Sequence, residues 1–150
     1  MGAKEQFEAG IKKAMAIKQK VLLNGLRDLM EACVEYAYDN HTFSNLTFNT
    51  QDSYGGAVYF KGKMYGNPYF LEQKASVGTI DMQVETDGQF GHEKSLDFLR
   101  SYKPKSEFDI CVTTGTEYSE FLERVRHLDT LTGAFEFAKD ACLMSFKPIK

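Results

Sequence analysis

The longest regular pattern in this sequence is helical and occupies the first quarter of the chain. From Lys4 to Tyr38 apolar side chains recur mostly at steps of three and four residues, as one face of an α-helix requires; they are Phe7, Ile11, Ala14, Val21, Leu22, Leu26, Leu29, Cys33 and Tyr36. About 35 residues of helix span roughly 50 Å, more than a small domain needs to cover its own core. We therefore predict a helix over residues 1–40 whose surplus length needs a partner surface. Gly10 and Gly25 are the positions where it would bend or break.

After residue 40 the sequence alternates between strand and helix patterns. Residues 54–60 alternate as a strand, with Ala57 and Tyr59 on one face and Val58 and Phe60 on the other. Lys61-Gly62-Lys63 predicts a hairpin turn, because Gly62 accepts a positive φ. The further predicted elements are a strand over 76–85, a helix over 92–102, a strand over 108–113, a short helix over 118–126 and a last helix from Asp129 to about Ser145, with Leu131, Phe135, Ala138 and Cys142 as its buried residues.

These elements predict one α+β domain over residues 1–150. In it, the long N-terminal helix and the C-terminal helices pack on a mostly antiparallel β-sheet. Residues 66–91 are predicted to form an irregular insert or loop that contains the strand at 76–85, because glycines and a proline interrupt this region: Gly66, Pro68, Gly78, Gly88 and Gly91.

The charge balance is mildly acidic, with 18 basic and 21 acidic residues and a net charge of −3. A general nucleic-acid binder carries a basic face, so this balance argues against that class. A local basic cluster, Lys12, Lys13, Lys18 and Lys20, nevertheless lies on the predicted first helix. The three cysteines are far apart among apolar residues, which favours a reducing compartment. Without a signal-peptide core or a run of 18 apolar residues, we expect a soluble intracellular protein with no membrane contact.

The sequence contains no recognisable catalytic or metal-binding motif. His41 and His92 lie near acidic residues, but metal-ligand spacings such as HxxxH and CxxC are missing. Cys111 lies in a predicted strand among apolar neighbours, where the pKa of a thiol rises and its reactivity falls. Ser119 lacks the G-x-S-x-G frame of a nucleophile elbow. We therefore predict a protein with no enzymatic activity, no cofactor and no metal.

Aromatic side chains are concentrated around the predicted hairpin. Part of this cluster is expected to lie in the core. Tyrosine-rich surfaces are also common where proteins bind each other, because rigid rings supply contact area at low entropic cost. The residues that we predict to form a protein interface are Tyr54, Tyr59, Lys61, Lys63, Tyr65, Tyr69 and Phe70, together with the exposed side of the first helix.

Two segments arrange their turns in a distinctive order. In residues 44–63, SNLTFNTQDSYGGAVYFKGK, a polar turn centred on Asn-Leu leads through a serine and glycines into a strand and a glycine hairpin. In residues 108–142, a strand and a glycine turn precede Glu117-Tyr118, Leu122-Glu123, a leucine-centred turn at 128–131 and the last helix. Both segments resemble tailed-bacteriophage head–tail joining and tail-completion proteins. The resemblance covers most of the chain from Asn45 onward, and residues 66–91 have no counterpart in it.

The resemblance implies a structural virion protein of the phage neck, assembled as a ring that joins head to tail or terminates the tail. The implied partners are further copies in a homo-oligomeric ring and portal, adaptor or tail-tube proteins, with DNA passing nearby without sequence-specific binding. Two alternatives remain open from the residues alone. One is a small enzyme or metal-binding domain that uses His41, His92 or Cys111, and the other is a regulatory nucleic-acid binder that uses the Lys12–Lys20 cluster.

Overall fold

The computed structural model describes residues 2–40, 53–71, 89–115 and 131–145. Along the chain the elements are helix α1 (Ala3–Asp39), strand β1 (Gly55–Phe60), strand β2 (Lys63–Phe70), helix α2 (Gln89–Ser101), strand β3 (Phe108–Thr113) and helix α3 (Thr132–Ser145). The strands form one antiparallel sheet on which the helices pack, so the predicted α+β class is confirmed. The strand predicted at 76–85, the helix predicted at 118–126 and residues 72–88 of the predicted insert lie outside the described residues.

Helix α1 runs without a break for 37 residues, past both glycines at which we predicted a bend. A Cβ added at Gly10 or Gly25 would meet nothing within 4 Å, so both positions are open. A glycine costs a helix about 1 kcal/mol but leaves its backbone hydrogen bonds intact. At the start the Gly2 N–H donates to the Glu5 carboxylate at 3.2 Å. At the end the Tyr36 carbonyl accepts hydrogen bonds from both the backbone N–H and the side-chain amide of Asn40, each at 3.0 Å.

The strand order is β2-β1-β3, with β1 in the centre. The two-residue turn that joins β1 to β2 consists of Lys61 and Gly62, with positive φ values of 49° and 80°. Positive φ at both central residues is the geometry of the tight hairpin turn that the sequence predicted. On the other side of β1, β3 pairs in regular antiparallel register from Gly55↔Thr113 to Phe60↔Phe108.

Strand β2 contains a bulge that we had predicted as the beginning of the irregular insert. The register shifts between the pairs Gly56↔Tyr69 and Val58↔Tyr65. Between these two pairs β2 contains more residues than β1 does. Gly66, with a φ of 72°, allows the backbone to bend there. The Asn67 carbonyl then accepts a hydrogen bond from the Arg27 guanidinium of α1 at 3.1 Å. The prediction for 66–91 was therefore wrong at 66–70, which belong to the sheet, and at 89–91, which begin α2.

Helices cover both faces of the sheet. Helices α1 and α3 cover one face, where Met30 and Val58 are fully buried. Helix α2 covers the other, where Leu99 packs against Ala57 and Tyr59. The Tyr59 hydroxyl donates to the Leu99 carbonyl at 2.5 Å, which satisfies a polar group inside this core. Strand β1 therefore alternates between two apolar layers, as its pattern predicted.

Ser53 connects α2 and the end of β3 to the start of β1. It is fully buried, its hydroxyl lies 2.6 Å from the Thr114 hydroxyl, and it accepts a hydrogen bond from the Gly115 N–H at 3.0 Å. The Ser53 carbonyl accepts a hydrogen bond from the Ser95 hydroxyl at 2.5 Å. Gly115 is required here, because a Cβ would collide with the carbonyl oxygen of Gly91.

Helix α3 packs on α1 through a different face from the one predicted. Phe137 stacks on Tyr36 of α1 with ring centroids 4.9 Å apart and an interplanar angle of 15°, and Ala134 is buried beside this contact. Phe135, which we predicted to be buried, is 67% exposed, so that prediction was wrong. The contact face is rotated away from Phe135 toward Ala134 and Phe137, while Leu131 of the predicted stripe still packs against the core. Leu131, Ala138 and Cys142 are partly buried.

Candidate interaction surface

The N-terminal half of α1 extends past the core of the described protein. Residues 2–18 are all exposed, and Leu23 is the first buried residue of the helix. At 1.5 Å per residue, this is roughly 25 Å of helix without core contacts. Its large apolar side chains are between 44% and 69% exposed; they are Phe7, Ile11, Met15, Ile17 and Val21. We call residues 3–21 the helix arm.

Four apolar side chains of the helix arm share one side of the helix. Phe7, Ile11, Ala14 and Val21 follow steps of four, three and seven residues, which place them in one row. In the remainder of α1 the row continues to Tyr36, where α3 covers it. Lys18 interrupts this row between Ala14 and Val21, and Met15 and Ile17 lie to either side of it. Single exposed apolar residues are normal on a protein surface, but several large ones on one helix segment mark a candidate site of interaction.

The helix arm is basic, whereas the rest of the chain is acidic. Residues 1–20 contain five lysines and two glutamates, a side-chain charge of +3. Because the whole chain carries −3, residues 21–150 carry −6. Complementary charges on two surfaces favour their association and raise its rate. The arm therefore combines an apolar row with a charge opposite to that of the remaining chain.

A second apolar surface lies between β3 and α3. It is a cleft of about 310 Å³, lined by Cys33, Ile110, Cys111, Val112, Leu131, Ala134, Phe135 and Ala138. Glu136 and Asp140 lie on the exposed part of α3, where Glu136 pairs with Lys139 at 3.6 Å. We call this surface the β3–α3 cleft. Its lining suits apolar side chains rather than an ion or a polar substrate.

Two of the predicted interface residues are buried in the core. Tyr54 is 1% exposed and Tyr59 is 2% exposed, so neither offers its side chain to a partner in this structure, and the prediction was wrong for both. The physical reason is the position of β1, which lies in the centre of a sheet covered on both faces. A strand buried on both faces is apolar at successive positions, and GGAVY is a run of that kind.

The other predicted interface residues lie on different parts of the hairpin. Lys61 and Lys63 are exposed at its tip, and the Lys61 ammonium lies 4.0 Å from the Glu107 carboxylate. Tyr65, Tyr69 and Phe70 are partly buried. The structure does not bring these five side chains into one patch, and their role as an interface stays a prediction.

Tyr69 and Phe70 lie on opposite faces of the sheet and contact different helices. The Tyr69 hydroxyl donates to the Glu35 carboxylate of α1 at 3.0 Å, and burial followed by this hydrogen bond raises the Tyr69 pKa to about 12. The Phe70 ring faces His92 of α2, with ring centroids 4.0 Å apart. A Cβ at Gly55 would overlap the Phe70 ring, so the glycine provides the space that the ring occupies.

The thiols in the cleft are protonated at neutral pH. Burial raises the pKa of Cys33 to about 11, with a smaller contribution from Cys142. Burial also raises the pKa of Cys111 to about 11, and the nearby Asp109 carboxylate adds to this effect. The prediction that the pKa of Cys111 is raised is therefore confirmed.

Within the described ranges, no group of histidine, cysteine and acidic side chains is arranged to hold a metal ion. His41, one of the two histidines considered from the sequence, lies outside those ranges. The other, His92, packs against the Phe70 ring.

A scan against protein-family models finds no match to this sequence, and searches of curated proteins and of solved structures find none either. The likeness to phage neck proteins therefore rests on the two sequence segments alone. Among the helices that the structure describes, none is both long enough and apolar enough to cross a membrane.

The helical pattern of the sequence predicted the helix arm, but no sequence pattern predicted the β3–α3 cleft. We had assigned Phe135 to the buried stripe, which left no apolar side chain to mark this surface. One signal was present in the motif Phe135-Glu136-Phe137. Residues two positions apart point to different sides of a helix, so only one of these two rings can lie on the buried face.

Proposed function

We propose that this protein is a non-enzymatic structural protein that self-associates into a ring at the neck of a tailed bacteriophage. The observation that carries the self-association is the helix arm, an exposed apolar row on roughly 25 Å of helix beyond the core. The neck location draws on the resemblance of residues 44–63 and 108–142 to head–tail joining and tail-completion proteins. Its partners would be further copies of the chain and the portal, adaptor or tail-tube proteins next to the ring.

A ring follows from contacts between unlike surfaces. The helix arm and the β3–α3 cleft are different apolar surfaces of one chain. When one surface of a subunit binds a different surface of the next, the assembly continues head to tail until the rotation closes it. DNA would pass through such a ring without sequence-specific contacts. The ring would act by geometry, since its surfaces hold neighbours in fixed positions.

Cryo-electron microscopy of intact phage particles tests this function. We expect a ring of density at the neck into which the sheet and its covering helices fit. Particles produced without the chain should show unjoined heads and tails or tails of abnormal length. Particles that lack the chain at the neck would contradict the proposal.

Nucleic-acid binding is a second candidate, favoured by one observation. Lys12, Lys13, Lys18 and Lys20 are all exposed on the helix arm. If all four contacted phosphates, the logarithm of the affinity for duplex DNA would fall against the logarithm of salt concentration with a slope of about −4. Fluorescence anisotropy with a duplex of random sequence measures this slope, and a variant with all four lysines changed to glutamine is the control. The structural proposal predicts no such binding.

A further inference from the structure

We propose that the helix arm of one copy binds the β3–α3 cleft of a neighbouring copy. This proposal rests on the self-association argued above and names the two surfaces that meet. Side chains of the apolar row, with Phe7 and Ile11 at its N-terminal end, would enter the cleft. The occupant is therefore a second copy of this chain, bound through unlike surfaces.

The geometry of α1 requires that the arm and the cleft come from different copies. Cys33 lines the cleft, and Phe7 lies on the same uninterrupted helix. Their separation along the helix axis is roughly 39 Å at 1.5 Å per residue. A continuous helix cannot fold back on itself, so Phe7 cannot reach the cleft of its own chain. A neighbouring copy removes this restriction.

The β3–α3 cleft is an apolar acceptor that lies beside an exposed phenylalanine. Outside the helix arm, the large apolar side chains that are exposed there are Phe98 and Phe135. Phe98 lies on α2 with the Tyr102 ring centroid 6.1 Å from its own. Phe135 adjoins the cleft of about 310 Å³. A cleft of this size is at the lower end of the range that holds small ligands, about 300 Å³ upward, and it suits one or two side chains of an incoming helix.

Charge favours binding of an arm to the body of another copy over the pairing of two arms. Two arms would each bring a charge of +3 into contact, and like charges that face each other oppose association. The rest of the chain carries −6, so an arm that approaches the body of another copy meets an opposite overall charge.

The experiment uses full-length protein with one surface altered at a time. The arm variant carries Phe7→Glu and Ile11→Glu, and the cleft variant carries Phe135→Glu. All three side chains are exposed, so the substitutions leave the core intact. Phe98→Glu, on α2, is the matched control for an exposed phenylalanine elsewhere. Sedimentation velocity up to about 1 mM protein covers the range in which weak specific contacts populate, and circular dichroism checks that each variant is folded.

We expect wild-type protein and Phe98→Glu to form species larger than dimers as the concentration rises. The arm variant and the cleft variant should each associate at least about tenfold more weakly than wild type, as loss of a central apolar anchor predicts. Mixing the two variants should restore association but stop it at a 1:1 dimer. That result is specific to unlike surfaces, because such a mixture contains one intact arm and one intact cleft per pair.

Three results would overturn the inference. If the cleft variant associates like wild type, the acceptor surface is wrong while self-association stands. If the arm variant associates like wild type, the arm is not the binding element. If wild-type protein stays monomeric throughout the concentration range, the two surfaces do not bind each other. The proposed neck ring is tested separately, by imaging of particles.

Discussion

At the residue scale, Ser53 is the side chain whose loss should be felt most in the polar part of the core. Changing the fully buried Ser53 to alanine removes the acceptor of the Gly115 N–H and one partner of the Thr114 hydroxyl, both of which are partly buried. A buried group left without its partner costs about 1–3 kcal/mol. Urea denaturation should show a decrease of this size in the free energy of unfolding.

The matched control for this change is Ser101→Ala. The Ser101 hydroxyl donates to the Phe98 carbonyl at 3.0 Å, but it does so at an exposed position at the end of α2. We expect a change within about 0.5 kcal/mol, as is usual at the surface. Equal effects of the two substitutions would show that Ser53 does not connect α2 and β3 as described.

The raised pKa values of the Cys33 and Cys111 thiols determine how the free energy of unfolding should depend on pH. In the folded protein the pKa values of Cys33 and Cys111 are raised from 9.0 to about 11. Above pH 9 the unfolded chain loses these protons while the folded chain keeps them, so ionisation favours unfolding. The free energy of unfolding should not change through these thiols below pH 9 and should fall as the pH rises from 9 to 11. Tyr69, with its pKa raised to about 12, acts in the same direction at higher pH.

Denaturant unfolding at a series of pH values measures this effect. In the variant Cys111→Ala the decrease between pH 9 and 11 should be smaller than in wild type, because one of the two thiols is gone. The same decrease in both proteins would contradict the role assigned to Cys111.

At the scale of secondary structure, α1 has two halves that should respond differently to substitution. Met30 is fully buried under the sheet, so Met30→Ala should lower the free energy of unfolding by about 2–5 kcal/mol. The arm variant Phe7→Glu with Ile11→Glu alters exposed side chains and should change it by less than about 0.5 kcal/mol per site at dilute, monomeric concentration. Thermal denaturation followed by circular dichroism separates the two. A large loss of stability in the arm variant would mean that the arm packs on its own core.

The elements were easier to predict than their packing. Strand β3 was predicted at its observed bounds and α1 within two residues at each end, because apolar periodicity and polar end residues report local structure. Periodicity does not report which partner covers a face. Tyr59 was therefore misplaced on a surface, although it packs against α2, and Phe135 was misplaced in a core, although it is exposed.

The bulge in β2 is a second feature whose extent could not be predicted from the sequence. Gly66 and Pro68 are signals of interruption, and the interruption is real, but it lasts only a few residues before β2 continues to Phe70. The strand continues because a sheet neighbour and the bond between Arg27 and the Asn67 carbonyl hold it. Arg27 is 40 residues away in the sequence, so local patterns could not reveal its contact with the Asn67 carbonyl.

At the scale of the whole molecule, a basic, apolar helix arm extends from the sheet and its covering helices. Burying several large side chains of the arm would release about 1.5–3 kcal/mol each in the absence of opposing costs. In a monomer these side chains stay exposed to water, and contact with a neighbouring copy would bury them. The central claim is therefore that residues 3–21 become covered when copies meet.

Hydrogen–deuterium exchange at two protein concentrations tests that claim most directly. An uncovered helix end opens easily, so its amides exchange fast in dilute protein. We predict that exchange in residues 3–21 slows several-fold between about 1 μM and about 1 mM protein, while exchange in β1 stays the same. Equal exchange of residues 3–21 at both concentrations would contradict the claim.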